Sequence, residues 1–337
     1  MESSPSHLRE LDLEDRTPYQ PSAGAEPNSR TRILRRGLQS PNCELEVLRL
    51  RLEGLSEADC ELFASALRSA PPCMKELELT DCDLSGPGVQ FVCFPLQSPD
   101  HQLAALRLKE SKVPDQVYEA VASALKRSPS HLRRLELVWW DSGDLGDSGA
   151  SLLSAGLRSP TCELQTLSLY GCSLSGSSFS PLVSALEANP SHLLDLNLGW
   201  NPLQDSGVME LCGFLRSPRL ENCSLTAVSC SLLVSALRSG PARLENLDLS
   251  WNELKDSGVK ELCSFLEDPS CRLQTLGSVP VCLVTPEHTG EETPEPRTQT
   301  TLGSGFWAGS GGPTAGFTHS AVSRAVLKVR FAQQAGS

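Results

Sequence analysis

The sequence lacks the features that would place the protein in a membrane or in the secretory pathway. No run of apolar residues approaches the roughly 18 that a transmembrane helix needs. No apolar stretch near the N-terminus resembles a signal peptide. The cysteines number thirteen, an odd count, and none has the CxxC or Cys/His spacing of a zinc site. These absences predict a cytoplasmic protein with reduced cysteines and no bound metal.

Sequence signatures of catalysis are also missing. There is no Gly-x-x-x-x-Gly-Lys-Ser/Thr phosphate loop, and the glycine-rich segment 303–316 has neither the lysine nor a preceding strand. Three of the six histidines, His7, His131 and His192, recur in the same Ser-His-Leu phrase, which is typical of a structural position. We therefore expect no catalytic residues and no cofactor, and an enzyme is the least favoured class of function.

What the sequence has instead is a repeat. The phrase Leu-x-x-Leu-x-Leu, with an apolar residue first, occurs eight times, and most copies are 29 residues apart. Its alternating apolar residues predict a short strand, and a segment with helical apolar spacing follows most copies. A period of this length predicts a leucine-rich-repeat solenoid, in which each unit completes the core of its neighbours. The phrases begin at Leu8, Leu45, Met74, Leu103, Leu132, Leu164, Leu193 and Leu244, with a weaker copy at Leu273.

The repeat predicts an α/β fold, a solenoid forming a curved horseshoe segment of about eight or nine units. The strands would form one parallel sheet on the concave side, and the helices would cover the convex side. We assign residues 41–276 to the solenoid and residues 1–40 to a degenerate N-terminal repeat and linker. Residues 277–337 form a low-complexity Thr/Pro/Glu-rich and Gly-rich tail, which cannot bury a core and is predicted to be disordered.

Two units depart from the period. Between Leu132 and Leu164 there are three extra residues, which predict a longer turn at 139–144. Between Leu193 and Leu244 there are 51 residues where two units of 29 would need more. The segment 218–225 keeps the turn of a unit while losing most of its strand.

Cysteine and asparagine alternate in the turn that follows the strand. Cys82 and Cys172 occupy this turn in one kind of unit, and Asn201 and Asn252, each preceded by tryptophan, occupy it in the other. Both residue types can satisfy turn backbone groups that have no partner in the sheet. Twelve of the thirteen cysteines stand at recurring repeat positions, so we interpret them as reduced core residues.

The alternation of these two units, with helices ending in Ser-Ala-Leu-Arg-Ser or Leu-Cys-x-Phe-Leu, resembles the ribonuclease-inhibitor class of leucine-rich repeats. Within that class, the phrases at 189–193 and 205–215 look like the C-terminal repeats of NOD-like (NACHT-containing) immune receptors, especially the expanded set in fish. The resemblance implies a ligand-sensing or regulatory protein-interaction module, here without the NACHT nucleotide switch. The alternative that it implies is stoichiometric inhibition of a basic ribonuclease.

The net negative charge of the chain lies entirely in the repeats. Residues 43–276 carry 31 acidic and 19 basic side chains, whereas the segments on either side are balanced. An acidic surface repels nucleic acid and anionic lipid and attracts basic proteins. We therefore expect a protein partner, preferentially a basic one, and neither nucleic acid nor a membrane.

The binding surface is expected on the concave face, because strand residues between the buried leucines point away from the helices. Exposed aromatic residues beside carboxylates are typical interface anchors. The alternative is that tryptophan fills the gap between successive turns. Basic strands near 49–51 and 107–109 precede an acidic, aromatic C-terminal half, which predicts a divided surface. The candidate residues are Glu76, Glu78, Glu136, Trp139, Tyr170, Asp195, Asn197, Trp200, Asn246, Asp248 and Trp251.

Overall fold

Strand and helix alternate along the chain in the computed structural model of the protein. Ten strands form one parallel sheet in chain order, and an eleventh pairs with the tenth in antiparallel orientation. The described residues are 8–15, 29–52, 57–69, 73–140, 145–189, 192–211, 218–239, 246–268, 271, 273, 275–277 and 329–330.

The elements have the following bounds. The strands are β1 Glu10–Asp15, β2 Val47–Leu52, β3 Glu76–Thr80, β4 Ala105–Lys109, β5 Arg134–Val138, β6 Thr166–Tyr170, β7 Asp195–Asn197, β8 Pro218–Arg219, β9 Asn246–Asp248, β10 Thr275–Gly277 and β11 Val329–Arg330. The helices are α1 Ser29–Gln39, α2 Glu57–Ser69, α3 Val89–Gln97, α4 Asp115–Leu125, α5 Gly146–Leu157, α6 Gly176–Ala188, α7 Gln204–Leu211, α8 Ala227–Ser239 and α9 Lys255–Leu266.

The alternating leucines of the strands form a continuous core between sheet and helices. Leu48 of β2 lies beside Leu77 of β3, which lies beside Leu106 of β4, and all three are fully buried. Each helix packs on the next one along the chain and supplies the other side of this core. Helices packed side by side need about 10 Å each, whereas neighbouring strands lie about 4.8 Å apart, so the sheet takes the inner, concave side. The predicted α/β leucine-rich-repeat solenoid is confirmed.

The N-terminal unit takes part in this arrangement. β1 pairs with β2 along its whole length, from Glu10 beside Val47 to Asp15 beside Leu52, and α1 packs on α2. The unit predicted to be degenerate therefore contributes a strand and a helix to the solenoid. The segment that joins them, 16–28, lies outside the described residues, as does most of the predicted disordered tail.

Among the described residues, β8 is the shortest strand of the parallel sheet, as the loss of the strand pattern predicted. This two-residue strand pairs with β7 through Pro218 and Arg219, and with β9 through Arg219 beside Asp248. The neighbouring pair β5–β6, by contrast, is in register over five residues. Among the described residues, fewer residue pairs therefore join the units on either side of β8.

Buried polar side chains close the turns after the strands. The Asn201 side-chain amide donates to the carbonyl oxygen of Leu169 at 2.7 Å, and its Oδ1 accepts the Leu174 N–H at 2.9 Å. The Cys223 thiol occupies the equivalent place in the next unit, 3.3 Å from the Leu198 carbonyl oxygen. The prediction that Asn and Cys serve the same turn position is confirmed.

The cysteines are more varied in their burial than the repeat pattern predicted. Eleven of them fall among the described residues, all are free thiols, and eight are buried. Burial raises the pKa of Cys93 to about 11 and that of Cys223 to about 12, so both thiols stay protonated at neutral pH. The prediction of a core position is wrong for Cys263, which is exposed on α9.

Candidate protein-binding surface

The residues on the concave face stand in straight rows, because the strands pair without a shift in register. The middle row runs through β1 to β5 as Asp12, Arg49, Glu78, Arg107 and Glu136. The sign of the charge changes at every step. Each side chain in the interior of this row therefore has an opposite charge on both neighbouring strands, about 4.8 Å away.

Ion pairs join the acidic and basic side chains of this N-terminal part. Arg107 contacts Glu76 at 3.0 Å and Glu136 at 3.3 Å, and Lys109 contacts Glu78 at 2.6 Å. Burial alone would lower the pKa of Arg107, but the two carboxylates outweigh it and raise that pKa. The basic strands predicted to form a separate positive region are instead neutralised by the acidic strands between them.

An aromatic cluster, formed by Trp140, Tyr170 and Trp200, lies at the C-terminal end of β5, β6 and β7. The ring centroids of Trp140 and Tyr170 are 5.2 Å apart, and those of Tyr170 and Trp200 are 6.1 Å apart. The tryptophans are 59% and 44% exposed, whereas Tyr170 between them is buried. Burial, together with the charge of Glu221, raises the pKa of Tyr170 to about 12. The cluster thus presents two accessible indole rings, which pack on the buried ring of Tyr170.

The structure corrects the expected role of Trp139, which is buried in the core. Its indole N–H donates to the Ser111 carbonyl oxygen at 3.0 Å. Trp200 and Trp251 stand at the same position of their units, but both have positive φ, 59° and 60°, and both are exposed. Trp139 does not have positive φ, and its side chain turns inward. The alternative, tryptophan filling the gap between turns, is therefore right for this residue.

Two carboxylates without ion pairs among the described residues lie beyond the aromatic cluster. They are Glu221, in the turn after β8, and Asp248 of β9. Asp248 accepts the Ser250 N–H at 3.0 Å. Glu221 lies over Gly199, where an added Cβ would be 2.6 Å from its Cγ. Burial first, and then the charge of Asp248, raise the pKa of Glu221. Its ionised form is therefore held in an unfavourable environment.

An open concavity of about 310 Å³ lies between the aromatic cluster and Glu221. Trp140 and Tyr170 form one wall, and Glu221 and Arg219 form the other. Arg219 is held by Asp195, whose carboxylate lies 2.7 Å from the guanidinium. The concavity therefore combines aromatic faces, the Arg219–Asp195 ion pair and a carboxylate that has no ion pair among the described residues.

The predicted site residues fall into three groups along the sheet. Around the concavity lie Glu136, Tyr170, Asp195 and Asn197, with Trp200 next to them. The neutralised N-terminal part contains Glu76 and Glu78. The C-terminal end, at β9 and its turn, contains Asn246, Asp248 and Trp251.

Among the charged and aromatic residues that line the concavity, the sequence did not predict Trp140, Arg219 and Glu221. Trp140 directly follows Trp139, the predicted site residue, and only the backbone conformation determines which of the two side chains is exposed. Arg219 and Glu221 flank Leu220 in the unit whose strand pattern was lost. Their x-Leu-x spacing was the available signal, since it places both on the face opposite the buried leucine.

The described part of the chain offers neither a metal site nor a membrane-spanning helix. It contains no group of three or more His, Cys, Asp or Glu side chains arranged to hold a metal ion. Among the same residues, no helix has the length and apolar character required to cross a membrane.

Known proteins share this repeat. The family described as Leucine Rich repeat matches the chain at residues 70–93, 189–212 and 244–263. Together with the parallel sheet and its row of buried leucines, these matches make the chain a leucine-rich-repeat protein.

Its homologues are ribonuclease inhibitors and NACHT, LRR and PYD domains-containing proteins. The chain is 34% identical to the ribonuclease inhibitor of Sus scrofa, over 72% of this chain and 54% of the inhibitor. It is 36% identical to that of Mus musculus, over 80% and 58%. It is 37% identical to NACHT, LRR and PYD domains-containing protein 12 of Mus musculus, over 73% and 23%. The matched region thus spans little more than half of the inhibitors and about a quarter of the NACHT protein.

Proposed function

We propose that the chain is a non-enzymatic protein-binding module whose partner contacts the concave face between β5 and β9. The observation that carries this proposal is the aromatic cluster beside Glu221, a carboxylate with no ion pair among the described residues. Interface hot spots are enriched in tryptophan and tyrosine, and their energy is concentrated where aromatic side chains become fully desolvated. The N-terminal part of the face, whose charges are already paired, would add shape complementarity more than binding energy.

The favoured function within this class is that of the ligand-sensing or regulatory repeats of a NOD-like innate immune receptor, in the cytoplasm. It is supported by the 37% identity to NACHT, LRR and PYD domains-containing proteins of mouse and human. The 337 residues contain no phosphate loop, and the proposal concerns the repeats alone.

The second candidate is a stoichiometric inhibitor of a basic ribonuclease. It is supported by identities of 34% and 36% to two ribonuclease inhibitors, and by the acidic excess of residues 43–276. The unpaired carboxylates of Glu221 and Asp248 would attract a basic enzyme to the same part of the face.

A binding assay distinguishes the two candidates. The purified chain is titrated into a pancreatic-type ribonuclease at physiological ionic strength, and residual ribonuclease activity is measured. Nanomolar or tighter inhibition supports the inhibitor function. Absence of inhibition contradicts it, and the chain is then used as bait in a cytoplasmic extract, followed by affinity measurements on each purified captured protein.

The concave site itself is tested by substitution against whichever partner binds. We expect Trp200→Ala to raise the dissociation rate by about 30-fold, equivalent to roughly 2 kcal/mol, because a hot-spot ring is lost. Lys260→Glu, at an exposed position on α9, is the control and should leave the affinity unchanged. Equal affinities for all three proteins would show that the partner binds elsewhere.

A further inference from the structure

The concavity between the aromatic cluster and Glu221 has an unbalanced charge. Glu136 is contacted by Arg107 and Arg134, at 3.3 and 3.7 Å, and Asp195 is contacted by Arg219. Glu221, in contrast, forms no ion pair within 4 Å of any described residue. The charge of Asp248 repels it, and this repulsion outweighs the attraction of Arg219. One cation supplied from outside would complete the pairing around the concavity.

The aromatic wall favours a cation of a particular shape. Trp140 and Tyr170 line the concavity opposite Glu221, and Trp140 is 59% exposed. The face of an indole or phenol ring attracts a cation electrostatically. A planar guanidinium can stack on such a ring and still donate two parallel hydrogen bonds to a carboxylate, which a compact ammonium cannot do.

The dimensions of the concavity fit one long side chain. Its volume, about 310 Å³, lies at the lower end of the range of small-ligand sites, about 300–1,000 Å³. It is open to solvent on the concave side, so a side chain projecting from a partner seated on the sheet can enter it. The fixed Arg219–Asp195 ion pair bounds it on the side of β7 and β8.

We propose that this concavity is a subsite for an arginine side chain of the protein partner, with the guanidinium stacked on Trp140 and paired with the Glu221 carboxylate. This inference rests on the proposed protein-binding function and names the chemistry of its partner: a loop or terminus that presents an exposed arginine. Entry of the guanidinium would also offset the repulsion between Glu221 and Asp248.

The subsite is tested with three short peptide probes that differ only in one side chain: acetyl-Gly-Arg-Gly-amide, its lysine analogue and its citrulline analogue, which is nearly isosteric with arginine but uncharged. Each is titrated into the full chain, and binding is followed by saturation-transfer NMR and tryptophan fluorescence. We expect saturable binding of the arginine probe, with Kd near 1 mM, and at least tenfold weaker binding of the citrulline probe. No saturable binding of the arginine probe, or equal binding of citrulline or lysine, would overturn the proposal.

Two variants connect the result to the proposed residues. Glu221→Gln should abolish the preference for arginine over citrulline, and Trp140→Leu should weaken the arginine probe about tenfold. Glu119→Gln, at an exposed position on the helix α4, is the matched control and should change nothing. If Glu221→Gln remains folded by thermal melting and keeps the preference, the subsite assignment is wrong. If Trp200→Ala still impairs a protein partner in that case, the proposed binding function stands and only the arginine subsite falls.

Discussion

At the scale of single residues, backbone conformation decides which tryptophans can meet a partner. Trp200 and Trp251 adopt the left-handed conformation, which costs about 1–2 kcal/mol for a residue with a Cβ. The surroundings hold Trp200 there, because its N–H donates to the Glu221 carbonyl oxygen at 2.8 Å and the next residue, Asn201, is locked in the turn. The same turn position also has positive φ in other units, for example at Asp81, so this conformation belongs to the repeat.

The raised pKa of Glu221 predicts a stability that depends on pH. The folded state binds the proton more tightly than the unfolded state, whose carboxyl has a pKa near 4.5, so ionised Glu221 destabilises the fold. Glu221→Gln should therefore raise the melting temperature at pH 7, by an amount worth less than about 1 kcal/mol because the side chain is only partly buried. The difference from the parent should vanish below about pH 4.5, which thermal melts at several pH values would measure.

Asp205 provides a control of opposite sign. Burial alone would raise the pKa of this carboxyl, but hydrogen bonds from Ser229 and Thr226 outweigh burial and lower it. Ionised Asp205 therefore stabilises the fold, so Asp205→Asn should lower the melting temperature at pH 7. This loss should shrink as the pH falls below about 3.8, the ordinary value. Parallel pH profiles for the two variants would contradict both assignments.

At the scale of elements, the backbone of the turn after β5 restricts which residue can occupy the turn after β6. Gly171 has φ +64°, and a Cβ at this position would lie 1.9 Å from the carbonyl oxygen of Trp139. Trp139 is also the turn residue whose side chain is buried. Trp139 thus places a backbone carbonyl where only glycine fits on the next unit, directly after Tyr170.

This close approach predicts a large effect for Gly171→Ala. Gly86 is the matched control, because it also has positive φ, +54°, but its Cβ would meet nothing within 4 Å. Gly86→Ala should cost about 1 kcal/mol, from the left-handed conformation alone. Gly171→Ala should cost about 3 kcal/mol or more, since the backbone must also move. Chemical denaturation of both variants measures the difference in the free energy of unfolding. Similar losses of stability would show that the backbone of the turn after β5 can move at little cost.

At the scale of the whole molecule, the solenoid is a chain of units that touch only their neighbours, so its cooperativity depends on each interface. The sheet is continuous from β1 to β10, and among the described residues two residue pairs join β7 to β8 and one joins β8 to β9. The aromatic cluster lies on the N-terminal side of this narrow point, and Asp248 and Trp251 lie on the other. The proposed binding surface therefore crosses the weakest joint of the sheet.

This narrow joint predicts two levels of local stability. Amides of β9 and α9 should exchange through a partial unfolding of the C-terminal units, at a lower free energy than amides of β3 to β6. Native-state hydrogen exchange at increasing denaturant would measure both free energies. A partner that spans the joint should bring the two values together, because it links the units that β8 joins weakly. Equal unfolding free energies without a partner would show that the units on both sides of β8 unfold together.

The sequence by itself determined the fold class, the register and most of the turn chemistry. The leucines of the repeated phrase alternate with a period of two, and a shift of one residue would expose every one of them, so the pattern admits one register. The 29-residue spacing then stacks equivalent residues, which is why Cys172 and Asn201 could be assigned to the same turn position. It also placed Glu136, Tyr170, Asp195 and Asn197 on the concave face.

Only the tertiary structure decided which of those residues have partners and which tryptophan is exposed. Ion pairs such as Arg107–Glu76 join strands about 30 residues apart, and their geometry depends on side-chain positions that no repeat pattern specifies. Trp139 is buried and Trp140 is exposed because the φ angle of Trp139 is not positive, unlike that of the equivalent Trp200. Glu221 belongs to a unit whose sequence has lost most of the strand pattern. Its position is set instead by the neighbouring strands β7 and β9, which pair with β8 and keep it in register.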